Sequence, residues 1–419
     1  MKESKALEFK ESLTNTYLKT VSAYSNYGSG VIQFGVDDSG RPVGIANPDR
    51  ACLDIENQIN DSVKPKPGYT MSVNQKTKVI TLSVSEGMFK PYLYKGKAYK
   101  RSDTSTVEVD QIELKRLILE GNNQYFEQLP YQSKTGLTFN VLEEKLVESL
   151  KIEKISKDIL RTLNLYTDKG GFNNAAGLLA DKNSFGGIDI VRYGNNINEI
   201  AERVQSINQS VLTQYDVAMS IFKRYYEYEE IEGAKRIKKE LLPKEAFREA
   251  VANALVHRTW DVNSNIRISM YQDKIEISSP GGLPSGISKE EYLNGSISYL
   301  RNPILGNVFF RLHLIEMFGT GIKRIQYSYQ LYDTKPGFQI YDNSIVVVLP
   351  TMRVTKSVSS DEKKVFDLLS SGQELSSGEI AESVSLSRIK VIRTLNSLLE
   401  KGLIKVIGKG RGTKYTKIA

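Results

Sequence analysis

Residues 20–45 read TVSAYSNYGSGVIQFGVDDSGRPVGI. The first half continues a helical spacing that begins at Thr14 and ends at Tyr27. The glycine-bounded run GVIQFGV then has the length and apolar density of a buried strand. A helix passing into a strand through glycines is the signature of a compact α+β unit. Just upstream, ALEFK at residues 6–10 alternates, which puts Leu7 and Phe9 on a core face and Glu8 and Lys10 on the other. Downstream, KPYLYKGKAYKRSDTST at residues 90–106 interleaves Lys97, Lys100 and Arg101 with Tyr92, Tyr94 and Tyr99. That mixture suits a nucleic-acid backbone with exposed bases. It equally suits tyrosines in a core with lysines outside.

The 419 residues are 40% apolar and 25% charged, the balance of a globular protein, and the length suggests three domains. No apolar run approaches the ~18 residues that span a bilayer, and the start, charged from Lys2 to Lys10, lacks the apolar centre of a signal peptide. A cytoplasmic protein with no membrane partner is expected. Cys52 is the only cysteine and His257 and His313 the only histidines, so thiolate and histidine-rich metal sites are excluded. Any metal must then sit on carboxylates, backbone or a bound phosphate, which points to magnesium or manganese. The formal net charge is +8, and from Ser385 onward nine lysines and arginines face one acid, Glu400.

The coarse plan is an α+β domain over 1–125, a helical connector over 126–240 with one strand at GIDIVRY, a further domain over 241–355, and a basic C-terminal module over 359–419. In that module Ser376 or Ser377 can cap a helix to Ser383, and Ser387 can cap a second whose inner face carries Ile389, Ile392, Leu395, Leu398 and Leu399. On the outer face lie Arg388, Lys390, Arg393 and Asn396. The stretch LIKVIGKGRGTKYTKI follows, with Lys409, Arg411 and Lys414 around a glycine-rich turn. The segment resembles a winged helix, and DNA is the expected partner at those basic residues, read by a homodimer on paired half-sites.

The helix FREAVANALVHRTW at 247–260 spaces Glu249 and Asn253 by one turn, so both leave the same face. A carboxylate there can orient water while an amide oxygen ligates a magnesium carried by nucleotide phosphates. Glycines follow at Gly281 and Gly282, and again at Gly319 and Gly321 flanking Thr320, where they permit close backbone approach and open a helix N-terminus to phosphate. Together these stretches resemble the divergent branch of the ATPase fold shared by gyrase, histidine kinases and MutL, an α/β sandwich found in helicase-related transcriptional regulators. The resemblance implies an ATP site, with Glu249 and Asn253 as its N-box, Pro280–Gly282 at its first glycine box and Gly319–Gly321 at its second. The usual adenine-reading aspartate is replaced around Ser278 and Ser279, so binding rather than hydrolysis is expected.

The N-terminal stretches ESKALEFKESL, residues 20–45 and residues 90–106 resemble the AlbA-like domain of Schlafen proteins, with Ser29 departing from the family's glycine pair. Schlafen endoribonucleases use two glutamates and an aspartate. The matching positions are Glu3, Glu8 and Asp38, with Asp37 the alternative, and Lys10 lies beside them. Three such carboxylates can hold one or two divalent ions against a phosphodiester. Two readings result: a DNA-binding transcriptional regulator with a nucleotide-responsive middle domain, and a metal-dependent ribonuclease acting on structured RNA.

Overall fold

The computed structural model describes residues 2–132, 136–232, 235–284, 287–295, 299–316, 319–352, 359–369, 373–408, 410 and 413–417. The fold is mixed α+β and multidomain, as expected.

The N-terminal unit is a four-stranded sheet in the order Leu7–Lys10, Gly30–Phe34, Val79–Ser85, Gly68–Asn74. The first pair is parallel, with Glu8 opposite Ile32. A parallel pair requires a crossover, and the helix Tyr17–Tyr27 supplies it. Its Tyr17, Val21 and Tyr24 pack with Ile32, Phe34 and Leu82. Residues paired across neighbouring strands share a face, so Glu8 and Lys10 lie on the main core side. Phe9 joins only a small cluster with Val36 and Val79. The expected assignment of faces is therefore reversed in weight: the charged face is the one under the helix.

The Asn26 amide is buried and bonds both ways to one backbone unit, donating to the Tyr92 carbonyl at 2.9 Å and accepting from its N–H at 2.8 Å. This pins the 90–94 segment to the helix. Ser29 fills the missing glycine's place by accepting from the Glu86 N–H at 3.0 Å. Gly30 has no such latitude, because a Cβ there would lie 2.3 Å from the Tyr24 ring.

The expected helical connector does not exist as a separate element. A six-stranded sheet runs Ile200–Ser206, Ile188–Tyr193, Ile266–Met270, Lys274–Pro280, Ser344–Pro350, Gly337–Ile340. Its first two strands come from the supposed connector, and Ile188 pairs in parallel with Ile266. Phe222 of the helix Val211–Tyr226 stacks on Phe247 of the helix Lys244–His257 at 4.6 Å between centroids. One core runs from Phe139 to Leu349, so a boundary at 240 would cut a single sheet. The strand Ile200–Ser206, sequence IAERVQS, lies at the sheet edge with Arg203 exposed and Glu202 half-buried, and its polar composition hid it.

The C-terminal module has helices Ser360–Leu368, Ser377–Val384 and Arg388–Glu400, then a hairpin of Ile404–Ile407 with Lys414–Lys417. Ser376 and Glu379 form a reciprocal capping box, and Ser387 accepts from the Lys390 N–H. The buried face of the third helix is Val391, Thr394, Leu395 and Leu398. Ile389 and Ile392, expected inside, are 70% and 41% exposed. A spacing of three drifts around a helix of 3.6 residues per turn, and the stripe phased on Val391 wins.

The module and the N-terminal unit both meet the middle one. Arg116, on the helix Gln111–Gly121, forms two hydrogen bonds to Asp261 at 2.6 and 3.1 Å. Fully buried Glu127 accepts the N–H groups of Ile304 at 2.5 Å and Leu305 at 2.9 Å, at the start of the helix Pro303–Arg311.

Two outcomes follow from these contacts. Gly30→Ala is expected to cost about 1–3 kcal/mol through overpacking against Tyr24, read as a lower urea midpoint. Burial pushes the Glu127 carboxyl up to about 7, with its two backbone donors opposing the shift. The folded state then binds the proton more tightly than the unfolded one, so this group's contribution falls by about 3 kcal/mol as pH rises from about 4.5 to about 7. That slope should flatten in Glu127→Gln when unfolding midpoints are measured across the window.

Candidate functional site

A cavity opens between the Lys244–His257 helix and the six-stranded sheet. Glu249, Asn253, Gly281, Gly282, Gly319 and Gly321 all line it, so the two glycine segments and the Glu/Asn pair expected together do meet. Ala250, Ala254, Ile277, Ile345 and Val347 form its apolar wall. Gly321 presses on the helix so closely that a Cβ would come within 2.6 Å of both the Asn253 amide and the Glu249 carboxylate. Gly319 stands at φ 65° and Gly281 at φ 109°, backbone shapes that side chains resist. Thr320 does not line the cavity; it is the N-cap of the helix Gly321–Ser328, whose N-terminus opens there.

Glu249 is 3% exposed, and burial raises its carboxyl against the pull of Arg324 and Arg248. The Asn253 Nδ2 donates to Glu249 Oε1 at 3.5 Å, which leaves its carbonyl oxygen as the acceptor. An amide oxygen beside a carboxylate fits a magnesium ion carried on phosphates. His257 also lines the cavity, pushed down to about 4 by burial and then by Arg301, so its ring is neutral at pH 7. Ser279 lines the cavity and donates its hydroxyl to the Ala254 carbonyl at 3.0 Å, whereas Ser278 lies on the far face of the sheet.

Arg301 was not anticipated. Its guanidinium donates to the His257 carbonyl at 3.0 Å, the Thr259 hydroxyl at 3.1 Å and the Gly282 carbonyl at 2.8 Å, tying the first glycine segment to the helix end. Adjacent Asn302 donates to the Val256 and Arg258 carbonyls at 2.7 and 2.9 Å. The only trace in sequence is the polar pair in LRNP ahead of a helix-starting proline.

The N-terminal carboxylates are arranged differently from expectation. Glu8 is 5% exposed and lies between two cations, Lys10 at 2.6 Å and Arg101 at 2.8 Å. Arg101 donates further to the Thr106 hydroxyl at 3.0 Å and the Ser4 carbonyl at 3.3 Å. Glu3 accepts the Phe9 N–H at 2.8 Å on the open edge of the first strand. Asp38 is exposed. Asp37 closes its own turn on the Ser39 hydroxyl and the Arg41 N–H, which hold its carboxyl down to about 2. Among the described residues no three histidine, cysteine, aspartate or glutamate side chains form a metal-holding group, so Glu3, Glu8 and Asp38 do not converge. The physical reason is the face: a carboxylate beneath the helix had to be matched by positive charge.

The tyrosine-lysine segment takes the plainer of its two readings. Tyr92, Tyr94 and Tyr99 are buried in the core. Lys97 pairs with Glu108 at 2.7 Å and Lys100 with Glu113 at 2.6 Å, while Arg101 is spent on Glu8. Lys97 and Lys100 stay at the surface in pairs of the exposed kind, whereas Arg101 is buried.

In the C-terminal module Arg388, Arg393 and Lys414 are exposed, and Lys390 is exposed but paired with Asp361 at 2.6 Å. Lys409 and Arg411 lie outside the described residues. Lys417, one more cation of the basic end, turns inward. It is 4% exposed and sits 4.5 Å from the Tyr327 ring and 4.1 Å from the Phe366 ring, with burial pushing its ammonium down to about 8.

Comparison with known proteins agrees with both resemblances. Among solved structures, the chain is similar to the DIP2311 protein from Corynebacterium diphtheriae at 18% identity, covering 99% of this chain and 92% of that one with a TM-score of 0.50. It also matches a structure titled as the N-terminal domain of a "Putative ATP-dependent DNA Helicase RecG-related Protein" from Nitrosomonas europaea, at 24% identity over 24% of this chain and 78% of that one, with a TM-score of 0.20. No relative among curated proteins matches the sequence. Residues 3–110 match the family model described as Schlafen, AlbA_2, and residues 263–349 match the one described as "Putative ATP-dependent DNA helicase recG C-terminal", the two families whose motifs the sequence carries.

Proposed function

We propose that this chain is a DNA-binding transcriptional regulator in which a nucleotide, bound with magnesium at the Glu249–Asn253 cavity, adjusts how a C-terminal winged helix is held. One observation carries the reading. The Gly321–Ser328 helix begins at the cavity glycines and reaches the C-terminal module, where Tyr327 faces Lys417 and Leu331 just beyond packs with Val365 and Phe366. A ligand that moves the start of this helix moves the seat of the module.

In this reading the Gly319–Gly321 backbone and the helix N-terminus meet the nucleotide phosphates, and the Asn253 carbonyl meets their magnesium. Ser279 stands near the base, where a hydroxyl is a weaker reader than a carboxylate, so ATP is bound rather than turned over. On the third helix of the module Arg388, Arg393 and Asn396 can reach phosphates and base edges. Exposed Ile389 and Ile392 suit the thymine methyl groups of a major groove. The ribonuclease alternative has less support, since the Glu8 charge is already matched by Lys10 and Arg101. Manganese-dependent cleavage of an RNA pool that disappears in Glu8→Ala would reverse that ranking.

The full-length Arg388→Ala/Arg393→Ala variant is expected to bind duplex DNA about tenfold more weakly in a gel shift, with the salt slope smaller by about two. Unchanged binding and slope would remove the DNA role from this helix. For the cavity, titration calorimetry with ATP and magnesium should show binding by the wild type that weakens at least tenfold in Asn253→Ala. No binding by the wild type would leave the middle domain as scaffold.

A further inference from the structure

Between the helices Val211–Tyr226 and Lys244–His257 the chain leaves the body as a hairpin of Glu227–Glu232 with Lys235–Glu240. Among the described residues these strands pair only with each other, Tyr228 opposite Lys239 and Ile231 opposite Arg236. By strand alternation one face presents Glu229, Ile231, Arg236 and Lys238, and the other Tyr228, Glu230, Ile237 and Lys239. Both faces are open. Ile231 is 71% exposed, Tyr228 45% and Ile237 38%. Lone two-stranded hairpins are marginal in water, and the cross-strand ion pairs here, Arg236 with Glu229 at 3.6 Å and Lys239 with Glu230 at 2.5 Å, are of the exposed kind that adds little. Something should cover this arm.

The charges say what. Beyond the Glu227–Glu240 pair at its base, the first strand carries Glu229 and Glu230, and the second Arg236, Lys238 and Lys239. Beyond its base one edge is acidic and the other basic, so the arm repels neither itself nor a neutral partner, and with five acids to four bases over 227–240 it has no net positive field for nucleic acid. We propose that this hairpin is a dimerisation arm that stacks face to face on the same arm of a second copy of this chain. A twofold axis parallel to the strands lays each acidic strand over the partner's basic one and closes the pair. An axis across the strands would put acid over acid. Edge-to-edge pairing of unlike strands is head-to-tail and would not close. Six residues make each strand ~20 Å long, so the arm alone covers less than the ~800 Å² per partner of a standard interface. A dimer dissociating in the micromolar range is therefore expected. The inference is independent of the nucleotide and DNA readings.

Charge reversal in the full chain tests it by sedimentation up to ~100 µM, because Glu229, Glu230 and Lys238 are exposed and Lys239 half-exposed and the fold should survive, as circular dichroism would check. Glu229→Lys/Glu230→Lys turns two acids of the first strand positive, and Lys238→Glu/Lys239→Glu turns two bases of the second negative. Each alone should dimerise at least tenfold more weakly, a mixture of the two should associate, and the variant carrying all four reversals should recover wild-type dimerisation. A wild type that stays single at ~100 µM, or a dimer indifferent to both reversals, overturns the proposal. So does a Lys238→Glu/Lys239→Glu arm that loses DNA while its mass is unchanged, since the arm would then be a nucleic-acid contact.

Discussion

The segment 301–305 is the knot on which the rest hangs. Within five residues Arg301 holds the first glycine segment, Asn302 takes two carbonyls at the end of the Lys244–His257 helix, and the N–H groups of Ile304 and Leu305 reach buried Glu127. These bonds sit where water does not compete, so each lost partner would strand a buried polar group at a cost of about 1–3 kcal/mol. The cavity and the junction with the N-terminal unit share this one strip of backbone. Whatever changes the position of Arg301 is felt by Glu127, six residues beyond the end of the helix Gln111–Gly121.

Much of this architecture was legible because its signals are local. The capping serines Ser376 and Ser387, the glycine-bounded strand after Tyr27 and the one-turn spacing of Glu249 and Asn253 are all written in neighbouring residues. What sequence could not give was pairing at a distance. Arg101 lies 93 positions from Glu8, and no periodicity couples them, yet that contact decides whether Glu8 is a free ligand or half of an ion pair. The same holds for the Ile188–Tyr193 strand, readable as a strand but not as the neighbour of Ile266. Where local reading did fail, at Ile389 and Ile392, two stripes of the same helix were both apolar, and only packing against the other two helices chose between them.

A common economy governs the charges. Glu8, Lys90 and Arg258 are all buried, and each is compensated inside the protein: Glu8 by Lys10 and Arg101, Lys90 by Glu86 and Glu120, Arg258 by backbone carbonyls and the face of Trp260. Buried pairs of this kind add little net stability but are costly to break. In the N-terminal unit these groups balance, three acids against three bases, so they fix orientation without changing its net charge.

Lys417 is the exception, because its compensation comes from two aromatic faces belonging to different parts of the chain. Phe366 is in the module itself and Tyr327 is on the helix that starts at the cavity. A cation between rings keeps its attraction only while both remain within about 6 Å, and burial already works against its charge. The Gly321–Ser328 helix is about 12 Å long, too short to absorb a shift at one end by bending. A displacement at Gly321 therefore arrives at Tyr327 almost undiminished, and there it acts on a buried lysine whose local energy depends steeply on ring position. Tyr327 against Lys417, with Leu331 beside it on the module's core, is where such a shift meets the module.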